Sequence, residues 1–240
     1  MSITTETLTV TTGDGPMPVF TATPADPARG AVVVIQEAFG VTSHIQDIAE
    51  RLAGAGWHAV APALFHRQGS PSLAYDDFEK VMPLMQQLTA EGLTTDLTAC
   101  FDHLEAVGFP AVRTGIVGFC MGGTVAFYAG TLRPLGAAVT FYGGGVNEGR
   151  FGLPSLIELA PSLQAPWLGL YGDLDQGIPT TDVELLRQAT AASAVESEVV
   201  RYADAEHGFN CNDRPKVYNP TAAADAWQRM LDWFDRHVTG

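Results

Sequence analysis

The chain has 240 residues, 46% hydrophobic and 17% charged, a mix that supports a full core and carries no signature of disorder. A formal net charge of −14, with only 13 Lys and Arg, disfavours nucleic acid and anionic membranes as partners, because phosphate-rich surfaces need a cationic face. No basic segment leads into an apolar stretch at the start and no apolar run reaches membrane-spanning length. Three cysteines, Cys100, Cys120 and Cys211, make no C-x-x-C pair, so a reducing cytoplasm is expected.

Taken in order, Thr5 to Thr12 alternates polar and apolar, Gly13 to Pro16 turns, and Pro18 to Thr23 extends again, which predicts an antiparallel hairpin at a sheet edge. After a loop from Pro24 to Arg29, the β-branched run Ala31 to Ile35 is apolar on both faces, as a buried parallel strand requires. His44 to Ala53 has helical spacing and stops at Gly54 to Gly56, and Trp57 to Leu64 predicts the next strand. Residues 65 to 92 are irregular, with Pro71 and Pro83 interrupting the pattern, and read as short helices, a candidate lid. Thr94 to Val107 predicts a helix whose stripe is Leu97, Cys100, Phe101, Leu104 and Val107, with Cys100 a core filler.

The second half alternates regularly. Ile116 to Phe119, Ala137 to Tyr142, Pro166 to Gly172 and Glu198 to Tyr202 predict strands. Gly122 to Ala129, Thr181 to Ala192 and Thr221 to His237 predict helices. This order predicts an α/β fold: a mostly parallel central sheet with the N-terminal antiparallel hairpin and helices on both faces, as one domain over 1–240.

Gly118-Phe-Cys-Met-Gly122 joins a predicted strand to a predicted helix with the spacing of a nucleophile elbow, Cys replacing Ser. Such a turn strains the central residue and leaves no room for side chains two positions either side, so the glycines have a function. It also places the Cys120 sulfur at a helix N-terminus, where orphan N–H groups favour a thiolate and a developing oxyanion. The same pentapeptide could be a plain Gly-rich turn around a buried Cys. Other loops at the C-terminal ends of strands add titratable groups: Glu37 after the first parallel strand, Asp173 and Asp175 in Tyr171 to Pro179, and His207 after the last strand. The order nucleophile, acid, His is that of α/β-hydrolases. Either aspartate can fill the acid position on this ground, since Asp also caps turns. His44, His103 and His237 fall in predicted helices, where exposure is the default.

Gln36-Glu-Ala-Phe-Gly40, Gly118-Phe-Cys-Met-Gly-Gly123, Gly172-Asp-Leu-Asp-Gln-Gly-Ile-Pro179 and His207-Gly-Phe209 resemble the four signature loops of the dienelactone hydrolase family, α/β-hydrolases with a Cys nucleophile. The resemblance runs from about residue 30 to about 237. It implies the α/β-hydrolase fold, with Cys120 as nucleophile, His207 as general base and acid, and Asp175 as the group that orients His207. The backbone N–H groups of Ala38 and Met121 would form the oxyanion hole, and Glu37 would hold the resting thiol protonated by like-charge pressure and help deprotonate it when substrate arrives. The implied reaction is hydrolysis of a small-molecule ester or lactone through a thioester, with no metal or organic cofactor. Family members acting on dienelactone hold its carboxylate with arginines. Here Pro71 to Gly92 has only Lys80 as a basic residue, leaving Arg67 and Arg214 as candidate substrate-binding groups and the substrate open. Two alternatives stand beside this expectation: a thiol redox protein using Cys120 and Cys211, and a binding module on a hydrolase fold that has lost its chemistry.

Overall fold

The computed structural model describes residues 2–238. Strands β1 (Ile3–Thr12) and β2 (Gly15–Pro24) pair antiparallel in a register that leaves Gly13 and Asp14 as a two-residue turn. The Thr12 hydroxyl closes that turn by donating to the Gly15 carbonyl (2.9 Å) and accepting from Asp14 N–H (3.1 Å). The parallel part follows: β3 (Ala31–Ile35), β4 (His58–Pro62), β5 (Thr114–Phe119), β6 (Ala137–Phe141), β7 (Trp167–Gly172) and β8 (Ser197–Tyr202). All eight strands join one sheet in the order β1-β2-β4-β3-β5-β6-β7-β8, with β2 antiparallel to both β1 and β4 and the remaining pairs parallel. Strands β3, β5, β6 and β7 are buried along their whole length, which explains why their sequences do not alternate.

Alternate residues of β3 feed two cores. Ala31, Val33 and Ile35 face one side, which is covered by α3 (Ala90–Ala106), α4 (Met121–Leu132) and α6 (Thr180–Ala191). Val32 and Val34 face the other, covered by α1 (Ser43–Gly54) and α7 (Pro220–His237). Two short helices, α2 (Phe78–Met85) and α5 (Leu156–Leu159), lie in the connections. The chain runs from β3 to β4 on one side and then returns to place β5 on the other side of β3. The loops leaving β3 and β5 therefore diverge, opening the crevice where ligands bind in sheets of this kind.

Three expectations need correcting. Helix α3 starts at Ala90 instead of Thr94, because the Thr89 hydroxyl accepts from Gly92 N–H (3.1 Å) and caps the helix a turn earlier. Val107 is not on the buried stripe: it sits at the C-cap of α3 and is 53% exposed. His44 is not exposed but buried, its Nδ1 3.1 Å from Asn212 Oδ1 and its ring edge-on to Phe119. It lies in the first turn of α1, on the side that packs against the loop following His207.

Asp96 of α3 is fully buried, and a buried carboxylate must be paired. It takes His66 Nε2 (3.0 Å) and both terminal nitrogens of Arg67 (2.8 and 2.9 Å) from a 3-10 turn after β4 (His66–Gln68). Arg67 also donates twice to Asp14 (3.1 and 2.5 Å), so the cluster ties the hairpin turn to α3. Asp96→Ala strands the Arg67 guanidinium and leaves the buried His66 Nε2 without its partner, and is expected to cost about 3 kcal/mol, at the low end for a broken buried pair because Arg67 keeps some contact with water. Urea unfolding at unchanged m measures it; a loss below about 1 kcal/mol would show the cluster to be ornamental.

Candidate active site

Strand β5 passes directly into α4 through Cys120, whose φ of 55° and ψ of −117° no ordinary strand or helix residue adopts. The flanking glycines make this possible. A Cβ on Gly118 would lie 1.8 Å from the Gly122 carbonyl oxygen, and a Cβ on Gly122 would lie 2.5 Å from the carbonyl oxygens of both Ile35 and Gln36. Gly122 thus lets the N-terminus of α4 rest against the end of β3. The turn is pinned from below: Cys120 N–H donates to Phe141 O (3.1 Å), Thr140 Oγ1 donates to Gly123 O (3.0 Å), and Trp167 Nε1 donates to Thr140 Oγ1 (3.0 Å). The Cys120 side chain is half-buried and remains reachable.

The two aspartates after β7 separate cleanly. Asp173 is engaged by Arg201 through a bidentate pair (2.7 and 2.8 Å), a structural link to β8. Asp175 is buried, its Oδ1 accepting from Gly177 N–H (2.8 Å) and its Oδ2 lying 2.6 Å from His207 Nδ1. With Nδ1 turned to the carboxylate, Nε2 is the ring nitrogen left for Cys120, which lines the same cavity. Burial by itself lowers the His207 pKa, but the bond to Asp175 and the influence of Cys120 outweigh it and raise the imidazole to about 10. The loops are stitched together by Leu174 N–H on Ala205 O (3.0 Å) and Asp173 N–H on Tyr202 O (2.9 Å).

Glu37 is buried at the end of β3. Its Oε2 accepts from the Tyr75 hydroxyl (2.9 Å), and its Oε1 has no partner among the described residues. The backbone N–H groups of Ala38 and Met121 likewise have no acceptor among those residues, the second because it opens α4. A cavity of about 390 Å³ is lined by Cys120, Asp175, His207 and Arg214. Arg67 does not line it; Asp96 and Asp14 hold that side chain elsewhere, beside a different cavity.

Four side chains at this site carry no role in the sequence reasoning above. Arg150 lines the same cavity as Cys120, packed over Gly144; it follows the Gly143 to Gly145 stretch after β6, and its strand-end position was the available signal. Tyr75 reaches Glu37 from the irregular segment, where no periodicity marks it. Burial first, and then the Glu37 carboxylate, pushes its hydroxyl well up. Tyr142 is fully buried at a φ of 40°, its ring 5.1 Å from that of His207 and its hydroxyl without a partner among the described residues. Gln36 is also fully buried, its Oε1 accepting from Leu64 N–H (3.1 Å) and its Nε2 donating to Glu37 O (3.3 Å). Cys211 is buried, and burial first, then Glu37, pushes its thiol up to about 12. No helix among the described residues is long and apolar enough to cross a membrane.

Residues 17–238 match the model of the dienelactone hydrolase family. A Salmonella typhimurium protein, provisionally named a carboxymethylenebutenolidase, is 41% identical over 229 residues, covering 92% of this chain and 83% of its own. An Escherichia coli K12 protein of the same provisional name is 39% identical over 230 residues, covering 93% and 79%. A crystal structure from Klebsiella pneumoniae, provisionally named a dienelactone hydrolase, superposes with a TM-score of 0.89 at 37% identity and covers 98% of this chain and 99% of its own.

The Asp175–His207 bond has a measurable signature. Asp175→Ala is expected to lower the His207 pKa clearly below about 10, since burial is then opposed by Cys120 alone; imidazole NMR titration reads it. The sign for stability follows. A folded-state pKa raised above 6.5 stabilises the fold fully below pH 6.5, and this contribution disappears as pH rises through about 10. Wild type should show that component in pH-dependent unfolding, and Asp175→Ala should show less of it.

Proposed function

Because this chain belongs to the dienelactone hydrolase family, we propose that it hydrolyses a small carboxylic ester or lactone with Cys120 as nucleophile, through a thioester. The observation that carries this is the Asp175–His207 bond beside Cys120 in one cavity, with Cys120 at a strained helix N-terminus. Asp175 and Cys120 together raise the His207 pKa to about 10, so in this proposal an imidazolium accompanies the Cys120 thiolate when it attacks. The thiolate attacks the carbonyl carbon, and the N–H groups of Ala38 and Met121 receive the carbonyl oxygen as it becomes an oxyanion. Collapse of the tetrahedral species breaks the C–O bond, and the imidazolium gives its proton to the departing alkoxide. Neutral His207 then takes a proton from water, which attacks the thioester and releases the acid and the sulfur. Glu37 opposes the thiolate by like charge before substrate arrives and accepts the thiol proton when it does. The three free thiols suit a reducing compartment, the cytoplasm.

The substrate in this proposal carries a carboxylate. In a chain of net charge −14, most basic side chains are held in ion pairs, yet Arg150 and Arg214 have none among the described residues and both line the cavity with Cys120. Arg214 stays close, its guanidinium 5.7 Å from the centre of the Tyr75 ring. Their free forks suit a carboxylate.

A panel of p-nitrophenyl esters and lactones, with and without a carboxylate, tests both levels. Cys120→Ala and His207→Ala are each expected to lower kcat by at least about 10³-fold, as removal of a nucleophile or its base does. Turnover surviving intact in Cys120→Ala sinks the proposal. Arg150→Ala and Arg214→Ala should each raise KM about tenfold for carboxylate-bearing substrates, as expected for losing one charged hydrogen bond, and leave neutral esters unaffected. An equal effect on both classes removes the arginines from substrate binding.

A further inference from the structure

We propose that Gln36 is a positioning residue for the oxyanion hole: its side-chain amide fixes the plane of the Glu37–Ala38 peptide so that the Ala38 N–H points at the reacting carbonyl. The inference rests on the role proposed above for Ala38.

Leu64 N–H, just beyond β4, ends on the Gln36 side chain at 3.1 Å, and only an oxygen can receive it. That bond decides which way the amide lies, so the nitrogen faces the other way, toward Glu37 O at 3.3 Å. Glu37 O also receives Gly40 N–H at 3.3 Å, across the narrow bridge between Glu37 and Gly40. Two donors therefore hold one carbonyl from one side. The structure has no cis peptide among the described residues. In a trans peptide the carbonyl and the following N–H point oppositely in one plane. Holding Glu37 O thus aims Ala38 N–H away from both donors. That N–H has no acceptor among the described residues, although Ala38 is only 5% exposed.

The helix end is placed in the same register. Gly122 rests against the carbonyls of Ile35 and Gln36, so the orphan N–H of Met121 is set relative to the same stretch of chain. Gln36 is fully buried and anchored to β4, making its grip a fixed frame and not a surface contact. Few side chains can replace it. A glutamate keeps an acceptor for Leu64 but turns an oxygen toward the Glu37 carbonyl, and a methionine of similar length offers neither group.

The test compares Gln36→Met and Gln36→Glu with wild type in three measurements: steady-state ester hydrolysis, the rate of Cys120 alkylation by iodoacetamide, and thermal melting. Alkylation consumes the thiolate without developing an oxyanion, so it reports the elbow and its histidine independently of the hole. Both variants are expected to lose about 10- to 100-fold in kcat, somewhat less than removal of a donor outright, with KM and the alkylation rate within about twofold of wild type. Gln36→Glu keeps Leu64 paired and serves if Gln36→Met fails to fold. Wild-type kcat in a folded variant overturns the proposal, as does alkylation slowed in proportion to turnover, which indicates a general collapse of the site. Cys120→Ala in the same assay separates the levels. Turnover independent of Cys120 sinks the proposed function itself. Turnover that depends on Cys120 and is indifferent to Gln36 sinks only the positioning role.

Discussion

The close approach of β5, α4 and the end of β3 is the constraint from which the rest of the site follows. Three backbones meet where side chains at residues 118 and 122 would overlap carbonyl oxygens. Cys120 is forced to a positive φ as the chain reverses there. Such strain persists only where the surroundings over-determine it. Here those surroundings are buried hydrogen bonds from Thr140 and Trp167 below, and the fully buried strands on either side. The sulfur, the helix N-terminus and the loop carrying Glu37 are thereby brought to one place by packing, before any side-chain chemistry is considered.

Charge is then distributed with little redundancy. Asp96 serves the cluster that ties the hairpin turn to α3, Asp173 serves Arg201, and Asp175 serves His207. Each aspartate has a separate cation, so the three linkages do not compete. The exceptions are informative. Glu37 has an oxygen without a partner, and Arg150 and Arg214 have no carboxylate among the described residues. Buried or cavity-lining polar groups left unmatched mark the region where a ligand completes the arrangement.

Much of this was legible in the chain. Strands apolar on both faces predicted the parallel sheet, and alternation and glycine predicted the hairpin, though its turn is Gly13 and Asp14 alone and not Gly13 to Pro16. Glu37, Cys120 and His207 stood out as candidates because the C-terminal ends of strands can be counted from sequence, whereas the preference for Asp175 over Asp173 came from the resemblance. What stayed hidden depended on contacts between distant segments. Arg67 was a candidate only because its capture by Asp96, on another helix, has no local signature. His44 is buried by its packing against the loop after His207, which no helical period reports. Tyr75 lies in an irregular segment and acquires its place by touching Glu37. One omission was avoidable: Ser155 and Glu158 form a capping box at the start of α5, and that S-x-x-E spacing is visible in the sequence.

The order in which the site's parts leave the ribosome follows from the sheet's topology. Cys120 belongs to β5 and α4, near the middle of the chain, whereas Asp175 and His207 come from the loops after β7 and β8. During synthesis Cys120 emerges long before the carboxylate and imidazole that come to lie around the same cavity, and β8 must dock on β7 before their loops can be stitched together. A nascent or truncated chain therefore presents the Cys120 thiol alone, and the site is assembled only as the last strand closes the sheet.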